Sequence, residues 1–216
     1  MTVISFRTEN TNGSNLLKIE LSDGSMLLAK NCYLDDYIVS AVSFGQGREI
    51  NAAEEEALRF AADCYRAECH GMRLIARAEQ TRTGLSHKLK GKGHASACVS
   101  AVISRFMDLD LVNDERYAER WLRNRLSRRG GKIPGPRRLS AALGNRGIGG
   151  DAIREAFDKT LDEEAEFVLL RKFLTKNRIG GISGNYSLRG RLKYEGFSSP
   201  VINRYFDENI QNNLII

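Results

Sequence analysis

The stretch Gly135-Pro136-Arg137-Arg138-Leu139-Ser140-Ala141-Ala142-Leu143-Gly144-Asn145-Arg146-Gly147-Ile148 decides the fold. Leu139 and Leu143 stand four apart and share one face of a helix, and Pro136 suits that helix's first turn, where no amide proton is needed. Gly147 then fits the left-handed position that ends a helix, and Ile148 sits where an apolar side chain folds back on the last turn. The same frame recurs as Leu85, Leu89, Gly93, His94 and as Leu188, Leu192, Gly196, Phe197, at offsets of 54 and 49 residues.

The likeness continues past each glycine. Ser96, Gly150 and Ser199 are the expected N-caps of a following helix, the third with Pro200 behind it. Apolar pairs come next in phase: Cys98-Val99, Ala152-Ile153 and Val201-Ile202, then Val102-Ile103, Ala156-Phe157 and Tyr205-Phe206. One amphipathic helix is thus written three times. Ahead of each pair, periodicity predicts a longer helix over 64–80, 113–127 and 162–176, the last two opening on Asn113-Asp114-Glu115 and Asp162-Glu163-Glu164. Each repeat is three helices. Helical repeats that bury their faces on one another stack into an elongated, curved body whose extended surface suits a long partner.

The front of the chain reads differently. Ile4 and Phe6, then Leu17, Ile19 and Leu21, then Met26 to Ala29 alternate as strands do, with Asn12-Gly13 and Asp23-Gly24 as turns between them. Two or three antiparallel strands are expected, and Asn51 to Glu54 has capping-box spacing for the first helix. The fold class is therefore mainly all-α, with tandem three-helix repeats and a small N-terminal β-rich extension. The divisions are 1–50, an acidic extension; 51–112, the first repeat with its preceding helix; 113–160, the second repeat; and 161–216, the third.

Charge is distributed unevenly along the chain. Residues 1–63 carry 5 basic and 10 acidic side chains, whereas 113–160 carry 12 and 6, within a total of +6. A basic middle favours a polyanion or an acidic protein surface. No run of apolar residues is long enough for a membrane span, no secretory leader is visible, and Cys32, Cys64, Cys69 and Cys98 form no paired framework. Free thiols and a cytoplasmic monomer are the expectation.

Three chemistries are set aside. Arg128-Arg129-Gly130-Gly131-Lys132 lacks the first glycine of a phosphate loop and has Ile133 where Ser or Thr would hold magnesium. Cys64, Cys69, His70, His87, His94 and Cys98 have no zinc-finger spacing, and Cys98 and His94 fall on apolar positions of the repeat. No nucleophile, base and orienting acid can be picked out, so neither enzyme, metal nor cofactor is expected. What remains is the basic segment Arg128, Arg129, Lys132, Arg137 and Arg138, and the run Lys88, Lys90, Lys92 on the equivalent helix of the first repeat. These eight are the candidate binding residues.

Leu111-Val112-Asn113-Asp114-Glu115-Arg116-Tyr117-Ala118, followed about 20 residues on by Gly135-Pro136-Arg137-Arg138-Leu139, resembles the RecX family of recombination regulators. With the Leu, Leu, Gly frames of the first and third repeats, the resemblance covers about residues 73 to 210. It implies an inhibitor of the RecA recombinase that lodges on the RecA–DNA filament and limits its growth, ATP hydrolysis and strand exchange in recombination and repair. It implies single-stranded or duplex DNA as a further partner through the basic face, and gives Arg137 and Arg138 the family's basic motif. The chain departs from the pattern where the family has a small residue or glycine (Asp110) and an aromatic (His94, Ile148). The acidic front exceeds the core family pattern. A helical DNA-binding protein acting alone is the competing reading, since helix-turn-helix geometry also sets basic helices beside glycine turns.

Overall fold

The computed structural model describes residues 2–11, 14–43, 47–128, 132–177, 179 and 185–213. It is mostly helical, with a small N-terminal sheet, and the chain divides into two compact units, Met1–Val112 and Asn113–Ile216. Among the described residues no helix is long and apolar enough to cross a membrane.

In the first unit, β1 (Val3–Thr11), β2 (Ser14–Leu21) and β3 (Met26–Lys30) form an antiparallel sheet in that order. The two-residue period places Leu17, Ile19 and Leu21 on one buried face, with Ala29 paired to Leu17 and Leu27 to Ile19. At the Asp23-Gly24 turn, Gly24 has φ +81° and the Asp23 carboxylate accepts from the Ser25 amide at 2.8 Å. The Asn12-Gly13 turn lies outside the described residues.

The sheet closes on α2 (Ala52–Arg77) after the short α1 (Asp36–Ser43). Asn51 and Glu54 exchange side-chain and backbone bonds at 2.9 Å each, which completes the capping box. The helix then runs unbroken for 26 residues. The sequence expectation began the first repeat's long helix at 64; no glycine or proline interrupts 52–63, and Glu54, Leu58, Ala61, Cys64, Glu68 and Gly71 form one buried stripe in helical phase. The helix also stops at Arg77, three residues early. The Gln80 amide nitrogen donates to the carbonyls of Leu74 at 3.3 Å and Ala78 at 2.7 Å, serving as a C-cap from outside.

α3 (Arg82–Gly91) and α4 (Ser96–Asp108) complete the first repeat. Gly93 takes φ +87°, and the His94 amide reaches back to the Leu89 carbonyl at 3.3 Å. The equivalent turns repeat this geometry: Gly147 at +77° with Ile148 bonding Leu143, and Gly196 at +92° with Phe197 bonding Leu192. Helix starts differ from expectation by one residue. Val99 bonds Ala95, Ile153 bonds Gly149 and Ile202 bonds Ser198, so Ser96, Gly150 and Ser199 are first helical residues and the caps precede them. At the end of α4 the turn uses Asp110, at φ +51°, where glycine is the usual choice.

Cys64 and Cys98 are buried with Leu85, Leu89, Val99, Val102 and Phe106, so they pack as small hydrophobes, and burial pushes the Cys64 thiol above its ordinary value. All four cysteines are free thiols. A polar knot lies beside this core. The Glu68 carboxylate on α2 takes Lys30 Nζ at 2.5 Å and the Tyr33 hydroxyl at 2.8 Å, with Arg105 Nε of α4 at 3.8 Å. Glu68 is only 6% exposed, so removing its charge strands Lys30 in a partly dry site.

The second unit holds α5 (Asp114–Leu126), α6 (Pro136–Gly144), α7 (Gly150–Thr160), α8 (Glu163–Lys176), α9 (Asn185–Tyr194) and α10 (Ser199–Asn213). Asn113 and Asp162 cap α5 and α8 through the amides of Arg116 and Ala165, at 2.9 and 2.8 Å. Leu122, Leu139, Leu143, Phe167, Leu170, Phe173, Leu192 and Phe197 belong to one continuous core, so these six helices bury their apolar faces together. The Glu166 carboxylate of α8 accepts from the Ser198 amide and hydroxyl at 2.6 and 2.7 Å, holding the start of α10.

Two predictions follow from the first unit. Glu68→Gln lowers its unfolding free energy by about 3 kcal/mol, read by denaturant unfolding with amide exchange resolved over 1–112. The second concerns His94, whose Nε2 lies 2.7 Å from His70 Nδ1. Burial, then the neighbouring charges of His70 and Arg66, with Lys92 adding and Asp63 opposing, hold its imidazolium below the ordinary 6.5. The folded state therefore binds fewer protons than the unfolded chain just below pH 6.5, and stability falls as pH drops from 6.5 through the lowered value. Between about pH 7 and about pH 5 the melting temperature of the parent drops more than that of His94→Phe, which supplies the ring without the proton.

Candidate functional site

Two short backbone stretches of the second unit meet to build the site. α6 starts with Gly135 as its cap and Pro136 at its first position, so the motif's own sequence fixes where the helix begins. The Arg137 amide, left over in this first turn, donates to the Glu195 carbonyl at 2.9 Å. That carbonyl belongs to the turn between α9 and α10. A side chain on Gly135 would bring a Cβ within 2.8 Å of the Glu195 carbonyl oxygen, and one on Gly196 would bring a Cβ within 2.8 Å of the Arg137 nitrogen. The glycines let the second repeat's basic helix sit backbone to backbone on the third repeat's turn.

This seat aims the arginines outward. The Arg137 guanidinium stacks 4.1 Å from the centre of the Tyr194 ring, and Tyr194 is itself 67% exposed. Arg138 Nε stands 3.7 Å from the Glu195 carboxylate, with its side chain 73% exposed. Glu195 is buried, and its carboxylate faces Arg138. A guanidinium held over an aromatic ring by cation–π attraction can still donate its N–H groups to a phosphate or carboxylate.

The remaining candidates are placed as follows. Arg128 and Lys132 are exposed on the connection between α5 and α6, and Arg129 lies outside the described residues. Lys88, Lys90 and Lys92 belong to the first unit. Lys88 donates to the Gln80 side chain at 2.7 Å, Lys90 is exposed on α3, and Lys92 caps that helix. The site thus joins Arg137 and Arg138 to two residues that sequence reading missed, Tyr194 and Glu195. Their only sequence signal was position, immediately before the glycine of the third Leu, Leu, Gly frame. Among the described residues no group of three or more His, Cys, Asp or Glu is placed to hold a metal ion.

Residues 113–156, which carry the Asp-Glu-Arg-Tyr-Ala and Gly-Pro-Arg-Arg-Leu segments, match the family model described as RecX, second three-helix domain. The regulatory protein RecX of Treponema pallidum (strain Nichols) is 33% identical over 149 residues, spanning 68% of this chain and 88% of that protein. The chain belongs to the RecX family. The regulatory protein RecX of Thermobifida fusca is 29% identical over 156 residues, covering 69% of this chain and 82% of its own. Two solved structures share the fold. A crystal structure of regulatory protein RecX superposes with a TM-score of 0.66 at 18% identity, covering 95% of this chain and 98% of the other. RecX from Lactobacillus salivarius gives 0.54 at 23% identity, over 68% and 97%. Coverage of 95% carries the RecX fold likeness into the acidic front, which the sequence reading had set outside the core family pattern.

The seat makes one demand that can be measured. Gly196→Ala puts a side chain into a left-handed backbone and against the Arg137 amide, and lowers the stability of the second unit by roughly 2 kcal/mol. Thermal unfolding of the variant, with exchange protection lost first at the start of α6, is the expected result.

Proposed function

We propose that this RecX-family chain regulates the RecA recombinase by binding the RecA–DNA filament and limiting its growth, ATP hydrolysis and strand exchange in recombination and repair. The observation that carries the reading is the rigid mount of Arg137 and Arg138. Both guanidinium groups face solvent from a helix start locked by a backbone hydrogen bond and two glycine contacts. Preorganised arginines lose little side-chain freedom on meeting a phosphate or carboxylate, so such a pair is worth more than the same charges on a loose loop. Relatives named as regulatory proteins support a regulatory role.

In this reading Arg128, Arg129 and Lys132 extend the basic contact of the second unit, Lys88, Lys90 and Lys92 supply a contact of the first unit, and DNA is touched through these residues. The protein acts as a cytoplasmic monomer and catalyses no reaction of its own. The acidic extension (1–50) and the repeats at 51–112, 113–160 and 161–216 are its working parts.

The test is RecA ATPase on single-stranded DNA, with and without the chain, beside an Arg137→Ala, Arg138→Ala double variant of intact helical content. The parent lowers the hydrolysis rate, and the variant needs about tenfold more protein for the same effect. No inhibition at excess, together with steeply salt-dependent binding to naked DNA, would replace this reading with that of a stand-alone DNA binder.

A further inference from the structure

A groove of about 830 Å³ lies in the first unit, between the free edge of β3 and the flank of α2, with the α3–α4 turn at its end. We infer that it binds an extended acidic peptide segment of a partner protein, which adds as a fourth strand along β3 and places its carboxylates against Arg73 and Lys92. The proposal concerns the first unit's own residues and does not rest on the filament reading.

The two edges of the sheet differ. The outer edge of β1 is occupied at its start: the Val3 amide bonds the Arg48 carbonyl at 3.0 Å, Gly47 bonds the Val3 carbonyl at 2.8 Å, and Thr2 bridges Glu49. β3 has β2 on one side and, among the described residues, no strand on the other. Open edges invite a further strand, and proteins ordinarily blunt them with proline, a bulge or an outward lysine. β3 has no proline and pairs with β2 without a register shift, and its one lysine, Lys30, is turned inward to Glu68. None of the three devices guards this edge.

The chemistry of the groove selects the occupant. Met26 and Leu28 line it at 52% and 43% exposure, an apolar wall at the two-residue spacing of a strand. The opposite wall carries Arg59, Arg66, Arg73 and Lys92 against the single carboxylate of Asp63. Arg66 is paired with Asp63, and Arg59 with Glu55 and Asp23. Arg73 and Lys92 have no carboxylate partner among the described residues, and both also line the adjoining recess that runs on to Arg77. An open strand edge, an apolar wall and two cations without a carboxylate partner match a peptide that alternates apolar and acidic side chains. A nucleic-acid strand would use the cations but not the edge amides or the Met26 and Leu28 surface.

The experiment titrates the full-length chain into a fluorescein-labelled peptide of about nine residues alternating Val and Glu, followed by anisotropy and by amide exchange. Binding that weakens with salt and protects the Met26–Lys30 amides is expected, with Arg73→Glu weakening it about tenfold. A peptide N-methylated at alternate residues, which cannot supply strand hydrogen bonds, also binds about tenfold more weakly, and this arm stands even if the variant misfolds. Equal binding of the N-methylated peptide, protection outside β3, no binding at all, or tighter binding of a single-stranded oligonucleotide at the same amides would overturn the proposal.

Discussion

Chirality of the backbone sets the frame of this protein. A short helix must reverse into the next within two or three residues, and that turn needs one residue in the left-handed region, which L side chains enter only at a cost of about 1 kcal/mol. Gly93, Gly147 and Gly196 meet that need, and each time the following residue bonds back to the second leucine of the frame. The bond fixes the direction of exit, and the exit fixes where the next amphipathic helix lays its apolar stripe. The pairs α3–α4, α6–α7 and α9–α10 share their geometry through this constraint.

At one of these turns the constraint acquires a second use. Because Gly196 has no side chain, its turn is flat enough for another backbone to touch, and Gly135 makes the approaching helix start equally bare. The Glu195 carbonyl thereby satisfies an amide of α6 that its own helix cannot. A structural device thus becomes a mount: two guanidinium groups project from a point where repeats two and three lock together, one lying on the Tyr194 ring and the other beside the Glu195 carboxylate. Cation placement depends here on packing between repeats as much as on the basic residues themselves.

The first unit handles charge differently. Glu68 draws Lys30, Tyr33 and Arg105 from β3, the turn after it and α4 onto α2, so a buried carboxylate ties the sheet to the first repeat. Turning Lys30 inward to make that tie leaves the β3 edge without its usual guard, while α2 turns Arg73 toward the groove beside it. Attachment of the sheet and exposure of its edge therefore have a common cause.

The frames of leucine and glycine, the capping box at Asn51 and the alternation of Leu17, Ile19 and Leu21 were legible in the sequence, because each depends on residues within a few positions of one another. Arg137 and Arg138 could be named for the same reason: proline at a helix start and basic residues after it are local signals. Tyr194 and Glu195 could not, since about 57 residues separate them from the arginines they meet, and nothing in either segment specifies the other. Nor could the joining of the helix that starts after Asn51 with the one expected from 64 into a single α2, which rests on a stripe shared with the sheet, or the early stop at Arg77, which rests on a glutamine folding back. The sequence by itself determined which segments are helices, where they turn and which faces are apolar, since short-range sterics and periodicity suffice for that. Only the tertiary structure decided which turn meets which helix start and which charges are left facing solvent, since those follow from close packing between segments far apart in the chain.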